Sequence, residues 1–273
     1  MTGAIVFAAG VSHAPYITGM PDHAPPESKA RFYAAMEEIG VRMRAARPDV
    51  VVVVSSDHFH NLFTDRMPAF CVGLGDSHEG PAEKWIRIEP FNVKGAAAFG
   101  RAVMHHAFRL GMDPAFSQRM VIEHGLAVPL SFLTPSFDIP VLPILQNCMV
   151  PPLPPLRRCY ALGQVLRAAA QEQGLRVAVV GTGGLSHAPG SADAGRIDSE
   201  FDREFLEMLR TRPMDALAIS DERMDAAGFG TWEIRQWITA LGAAGGGSAE
   251  VLAYEAVEAW ETGCGAAVFA VEK

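Results

Sequence analysis

The residues best suited to chemistry in this sequence are histidines that follow short apolar runs. Residues 50–54 form an uninterrupted β-branched run that leads into Asp57, His58, His60 and Asn61. Such a run predicts a strand buried on both faces of a mostly parallel sheet. Ligands collect beyond the carboxyl ends of strands in open α/β sheets, so these polar residues are predicted to form the floor of a site.

Two other apolar runs end in the same way. Residues 5–11 lead into Ser12 and His13, and residues 177–180 lead through a glycine-rich turn into His187. A single histidine at a strand end has little meaning. Three of them in one chain predict a shared cavity, provided that their strands are neighbours in the sheet.

Histidines grouped with an acid, without cysteine ligands, favour a hard or borderline metal ion. Two histidines and one carboxylate suit non-haem Fe(II), because three ligands on one face leave three positions for substrate and dioxygen. Zinc is the physical competitor, since the same side chains bind it at similar distances. Spacing alone leaves both metals open.

The segments around these runs predict the elements that position them. Residues 126–133 are predicted to form a short buried helix with Pro129 in its first turn, where proline is tolerated. The pattern as a whole predicts an α/β fold, a single domain with a mainly parallel central sheet flanked by helices and with the metal site at the strand ends. Further helices are predicted at residues 29–47, 95–110, 158–173, 198–217 and 231–241, a flexible break at 242–247, and further strands at 139–145, 249–257 and 265–271.

Composition limits the class of protein. The chain has 273 residues, 49% of them apolar, but no apolar run long enough to span a membrane. The formal charge of −8 argues against a nucleic-acid-binding protein. The N-terminus lacks the features of a secretion signal, so a cytoplasmic location is expected. Four scattered cysteines indicate reduced thiols and no disulfide framework.

Five motifs, taken in order, give the sequence a family resemblance. The chain resembles the catalytic (β) subunits of class III extradiol ring-cleavage dioxygenases from His13 to about Phe269. The motifs are Ser12-His13-Ala14-Pro15, Asp57-His58 followed by Asn61-Leu62-Phe63, Glu123-His124-Gly125 with Pro129-Leu130, residues 181–187, and Glu233-Ile234-Arg235-Gln236-Trp237.

This resemblance implies a role for five side chains. His13, His58 and Glu233 would be ligands of Fe(II), while His124 and His187 would be unligated histidines that face the substrate. The implied reaction is cleavage of a catechol-type aromatic acid by dioxygen, next to its diol, in aromatic catabolism. Histidine titrates near neutrality, so the two unligated histidines can exchange the protons that this reaction needs.

Three neighbouring residues have less specific interpretations. Asp57 is expected to orient a ligand histidine. His60 is expected to be a pocket residue or to lie just behind the ligands. His78 carries no motif and is expected at the surface.

Partners and alternatives also follow from the resemblance. Residues 1–273 would form one extradiol dioxygenase catalytic domain that binds a small aromatic diol and dioxygen, as a homo-oligomer or with a small helical second subunit. No arginine in the sequence identifies itself as the partner of a substrate carboxylate. Three alternatives stay open, namely an aminophenol-type ring-cleavage dioxygenase, a zinc-dependent hydrolase on the same three ligands, and a non-catalytic subunit of a hetero-oligomeric dioxygenase.

Overall fold

An eight-stranded sheet forms the centre of the computed structural model, which describes residues 3–272. The strands of the whole fold are β1 (Ala4–Val11), β2 (Val50–Ser55), β3 (Phe70–Gly73), β4 (Ser77–Gly80), β5 (Phe91–Lys94), β6 (Ala115–Ser117), β7 (Val141–Gln146), β8 (Arg176–Thr182), β9 (Ala249–Val257) and β10 (Thr262–Phe269). The large sheet has the order β6-β3-β7-β2-β8-β1-β10-β9, and β4 pairs with β5 in a separate hairpin. Strands β7, β2, β8 and β1 are parallel, and β10 and β9 add an antiparallel edge. The predicted single α/β domain with a mainly parallel sheet is confirmed.

Helices cover both faces of this sheet. They are α1 (Tyr16–Gly19), α2 (Pro26–Ala45), α3 (Ala97–Arg109), α4 (His124–Leu133), α5 (Leu156–Gln173), α6 (Ser199–Thr211), α7 (Asp221–Ala226) and α8 (Ile234–Ala244). Alternate side chains of β2 enter two separate cores. Val52 and Val54 pack on the side of α5 and α8, whereas Val51 and Val53 pack on the side of α2 and α4. β2 is therefore buried on both faces, as its β-branched run predicts.

Helix α8 lies directly on the sheet because glycine occupies the points of contact. A Cβ atom at Gly181 of β8 would lie 2.1 Å from the carbonyl oxygen of Gln236, and one at Gly10 of β1 would lie 2.2 Å from the Trp237 ring. The Trp237 indole donates a hydrogen bond to Gly183 O at 2.9 Å. These contacts hold the first turn of α8 against the carboxyl ends of β1 and β8.

The predicted 231–241 helix and the break after it differ from the structure. A 3-10 turn, Phe229–Glu233, precedes α8, and α8 continues through Gly242 to Ala244. Gly242 lies inside α8, which packs closely on α5. A Cβ atom at Gly242 would lie 2.1 Å from Tyr160 O, so this contact needs glycine. The helix ends at Gly245, whose φ of 93° suits glycine.

Two other details also differ from expectation. Helix α4 begins at His124, because the Glu123 carboxylate accepts a hydrogen bond from Gly125 N at 3.0 Å and caps the helix. Pro129 therefore lies inside the helix and not in its first turn. His78 is buried in β4, with its ring against Met120 O, and is not a surface residue.

No helix within residues 3–272 combines the length and apolar character that a bilayer span requires.

Candidate active site

The three strands that end in histidines are neighbours in the sheet. β8 lies between β2 and β1, and the register pairs Thr182 with Val11 and Gly181 with Val54. The turns after these strands therefore leave the sheet at the same edge. All five side chains singled out in the sequence line one cavity of about 220 Å³ at this edge: His13, His58, His124, His187 and Glu233.

Glu233 is the carboxylate at the centre of this group. It ends the 3-10 turn before α8 and is almost fully buried. Its Oε1 atom lies 3.2 Å from His13 Nε2 and 3.4 Å from His58 Nε2. Ser56 Oγ donates to Oε1, and Gly184 N donates to Oε2 at 2.8 Å. The carboxylate is thus fixed from behind while Oε1 points towards two imidazoles.

The protonation of His13 follows from its neighbours. Its Nδ1 atom lies 3.0 Å from Thr182 Oγ1, and this hydroxyl donates its own proton to Gly125 O at 2.8 Å. Thr182 Oγ1 therefore accepts from His13 Nδ1–H, which leaves Nε2 unprotonated. His13 Nε2 is buried without a hydrogen-bond partner among residues 3–272. It faces the Glu233 carboxylate at 3.2 Å, and a cation between the two atoms would satisfy both.

His58 is held by Glu123. Its Nδ1 atom lies 2.9 Å from Glu123 Oε2, and because a carboxylate can only accept, Nδ1 carries a proton and Nε2 is the atom that would bind a metal. Burial lowers the pKa of His58, but the Glu123 and Glu233 carboxylates outweigh it and raise this pKa, so a metal at Nε2 would displace a proton. Glu123 is fully buried. Burial alone would raise the pKa of Glu123, but the neighbouring His124 and His58 rings outweigh it and lower this pKa to about 2.

Asp57 has a role that differs from the expected one, and His60 lies behind the pocket residues. The Asp57 carboxylate accepts from the backbone N–H groups of His60, Asn61 and Leu62 at 3.1, 2.9 and 2.7 Å, and so fixes the turn after β2. The expectation that it orients the His58 ring is wrong, since Glu123 holds this ring. His60 is not among the residues that line the cavity, and its Nε2 atom lies 3.7 Å from Glu83 Oε1.

His124 and His187 are held in the same way through Nδ1. Glu83 accepts from His124 Nδ1 at 2.5 Å and from His124 N at 3.0 Å, and Leu185 O accepts from His187 Nδ1 at 2.9 Å. Both rings therefore keep Nε2 unprotonated. Burial is the largest cause that lowers the pKa of each ring. Near pH 7 both are neutral and can accept a proton.

A buried acid supports the His187 turn from behind. Asp202 on α6 accepts from Ser186 N and Ser186 Oγ, each at 2.8 Å, and from Tyr254 OH at 2.7 Å. Burial raises the pKa of Asp202 to about 6, although these hydrogen bonds act against the increase. The sequence analysis missed both Asp202 and Glu83, because neither carries a local signal that identifies its distant partner.

The donor set fits a single metal ion. Ligands at about 2.1 Å from an ion and at right angles to each other are about 3 Å apart, close to the 3.2 and 3.4 Å separations around Glu233 Oε1. Ligand atoms of His13, His58 and His124 also lie within 4.8 Å of one another. The group that contains Glu233 fits a cation better, because its carboxylate lies 3.2 and 3.4 Å from the two imidazole nitrogens and supplies negative charge. Within the described part of the chain, neither Glu123 nor Glu233 has a Lys or Arg ion-pair partner.

Known proteins resemble this chain in sequence and in fold. It is 30% identical over 301 aligned residues to a 2,3-dihydroxyphenylpropionate/2,3-dihydroxicinnamic acid 1,2-dioxygenase of Cupriavidus necator, covering 93% of this chain and 94% of the relative. A protein of the same name from Escherichia coli K12 is 29% identical over 274 residues, covering 82% and 86%. The crystal structure of an uncharacterized protein from Escherichia coli K12 shares the fold, with a TM-score of 0.64 at 14% identity over 96% of this chain and 99% of that one.

A family model agrees with the motifs and with these relatives. Residues 7–268 match the family described as the catalytic LigB subunit of aromatic ring-opening dioxygenase. The matched residues include the turns that carry the histidines, and they also include Glu233. The chain therefore belongs to this family of catalytic subunits, and it is an extradiol ring-cleaving dioxygenase, an oxidoreductase.

Proposed function

We propose that this protein cleaves a catechol ring with dioxygen at an Fe(II) ion held by His13, His58 and Glu233. The observation that carries the proposal is the unpartnered, buried Nε2 atom of His13, 3.2 Å from Glu233 Oε1. Two imidazoles and one carboxylate are the ligand set of non-haem Fe(II) oxygenases, and the bound ion would offer open positions to both catechol oxygens and to dioxygen.

The other two histidines are proposed to move protons. His124 donates Nδ1–H to the Glu83 carboxylate, which stabilises the charged ring that forms when Nε2 accepts a proton. His124 is therefore suited to take a catechol proton on binding. His187 donates Nδ1–H to the neutral Leu185 carbonyl, and burial lowers its pKa, so a proton on its Nε2 is readily given up. His187 is suited to return a proton as the ring opens.

The cavity limits the size of the substrate. Its volume of about 220 Å³ lies below the range of roughly 300–1,000 Å³ that is usual for drug-sized ligands. A single substituted ring fits this volume. Two relatives are named for diols with a three-carbon side chain, and we propose an aromatic diol of similar size for this chain.

Anaerobic reconstitution tests this function. The metal-free protein is loaded with Fe(II) or Zn(II), given a panel of catechols and aminophenols, and then exposed to oxygen. We expect oxygen uptake and a yellow ring-opened product with Fe(II) and neither with Zn(II). A zinc-loaded protein that hydrolyses esters or amides, or an iron-loaded protein that consumes no oxygen with any diol, would contradict the proposal. Turnover by the purified chain alone would show that a second subunit is not needed.

A further inference from the structure

The outer part of the cavity carries an acidic residue and no basic one among the described residues that line it. Beyond the histidines and Glu233, the only ionisable carboxylate that lines it is Glu261, and none of the lining residues described is Lys or Arg. Glu261 is half-buried and forms no ion pair with any of residues 3–272. A substrate carboxylate in this part of the cavity would meet a like charge and no cation.

The backbone fixes the position of Glu261. It follows the 3-10 turn Glu258–Trp260 between β9 and β10, and its φ of 55° is in the left-handed region. Its N–H donates to Glu258 O at 2.9 Å, and the next residue, Thr262, begins β10. Glu261 is thus attached to a strand of the central sheet and not to a long loop.

Aromatic side chains form the surface beside this carboxylate. Trp260 is fully buried, its indole donates to Met20 O at 3.2 Å, and its ring lies 6.1 Å from that of Phe32. Tyr16 also lines the cavity, and its ring lies 5.7 Å from that of Trp85. The faces of aromatic rings accommodate neutral groups and stabilise cations, and the Tyr16 hydroxyl is a neutral donor that does not replace a cation for an anionic substituent.

The inner part of the cavity does not compensate for the missing cation. Two buried carboxylates, Glu123 and Glu233, already balance the two positive charges of a divalent ion. No surplus positive charge is then left for an acidic substituent, and desolvating an unpaired carboxylate is unfavourable.

From these observations, and resting on the proposed ring-cleavage function, we propose that Glu261 selects substrates by charge. The preferred substrate is a catechol whose ring substituent ends in an ammonium group. A neutral substituent is tolerated and a carboxylate is disfavoured. The chain would then differ in substrate class from the relatives named for dihydroxyphenylpropionate.

Three catechols that differ only at the end of a three-carbon side chain test this proposal. They carry a primary amine, an alcohol or a carboxylate, and each is used as the 2,3-diol and as the 3,4-diol. Dissociation constants are measured with the Fe(II)-loaded protein without oxygen, and kcat/KM is measured with oxygen. We expect affinity and kcat/KM both to decrease from the amine through the alcohol to the carboxylate. The amine and the carboxylate should differ by about tenfold or more in each quantity.

Variants connect this order to Glu261. In Glu261→Gln the affinity and kcat/KM for the amine should fall by about tenfold, and those for the carboxylate should rise. The values for the alcohol should stay within about twofold of wild type. Glu258→Gln removes the same charge at an exposed position three residues away that does not line the cavity, and it should leave the order unchanged.

The outcomes separate this inference from the proposed function. A carboxylate-bearing catechol that binds and reacts best, with an order unaffected by Glu261→Gln, would overturn the inference while leaving ring cleavage intact. If no catechol is opened, the proposed function is wrong, and the anaerobic binding order still decides whether Glu261 discriminates by charge.

Discussion

The two halves of the cavity are built on different principles. The inner half consists of His13, His58, His124, His187 and Glu233, and the outer half consists of Tyr16, Pro189, Gly190, Trp260 and Glu261. In the inner half each imidazole is oriented by a hydrogen bond through Nδ1, to Thr182, Glu123, Glu83 or Leu185. In the outer half aromatic packing replaces such bonds, and the Glu261 carboxylate has no ion-pair partner among residues 3–272.

We expect the inner half to carry out the chemistry and the outer half to select the substrate. The inner half depends on the carboxyl ends of three adjacent strands and on the first turn of α8, which cannot move without disrupting the sheet. The outer half comes from the turns after β1 and β8 and from the β9–β10 connection. Changes in the inner half should therefore abolish metal binding or turnover, whereas changes in the outer half should alter which ring is accepted.

The largest effect is expected from His13→Ala. Removing an inner-half ligand should lower iron affinity by more than about 100-fold, beyond the usual cost of losing a residue that only orients a ligand. Iron bound per chain, measured after anaerobic dialysis, checks this, with His105→Ala on the exposed face of α3 as the control. Full iron content in His13→Ala would remove His13 from the ligand set.

His187→Ala should separate metal binding from turnover. The ring lines the cavity but is held by Leu185 O and not by the metal ligands, so iron should stay bound. Loss of a proton-transfer group should lower kcat by roughly 10²–10⁴-fold. Wild-type turnover in this variant would show that His187 moves no proton in a rate-limiting step.

A smaller loss is expected from Glu123→Gln. The amide keeps the shape and can still accept from His58 Nδ1–H, but it removes the charge that makes His58 a better ligand. Iron affinity should fall by about 10–100-fold. Glu79→Gln, at an exposed position of β4, is the matched control. Equal affinities for the two variants would mean that Glu123 does not support the ligand.

The last effect leaves the cavity unchanged, concerns stability alone and arises from Asp202. Its pKa is about 6 in the folded protein and 3.8 in an unfolded chain, so the folded protein binds the proton more tightly. This group therefore favours folding less as pH rises from about 4 to 6, by up to about 3 kcal/mol.

Asp202→Asn should remove this pH dependence. Urea unfolding of wild type and variant at several pH values measures it, and the variant should gain relative stability between pH 4 and 6 before the difference becomes constant. Glu200→Gln, exposed on the same helix, should show no such change. A difference between Asp202→Asn and wild type that is the same at every pH would contradict the raised pKa.

Sequence reasoning was most successful where the signal is local. In β1, β2 and β8 each apolar run is followed within a few residues by its histidine. The pattern of apolar residues therefore predicts the strand, and the turn residues after it predict the position of the histidine. The family resemblance supplied Glu233, which pattern alone would not, because every residue of α8 is buried and no polar stripe marks an inward face.

Long-range contacts could not be predicted from the sequence. Glu83 reaches His124 across 41 residues, and Asp202 reaches Ser186 across 16, so only the packed fold brings each pair together. Asp57 precedes His58 and was the natural partner to expect. It is used instead by three backbone N–H groups of its own turn, which a short carboxylate reaches more easily than the ring beside it.

Iron binding at Glu233 tests the central claim most directly. The Fe(II)-loaded protein is treated with nitric oxide, and its electron paramagnetic resonance spectrum is recorded with and without a catechol, for wild type and Glu233→Gln. We expect one iron–nitrosyl signal per chain in the wild type that changes when the catechol binds, and a strongly reduced signal in the variant. An equally strong signal in Glu233→Gln, or a wild-type signal that a catechol leaves unchanged, would contradict the proposed ligands and the proposed open positions.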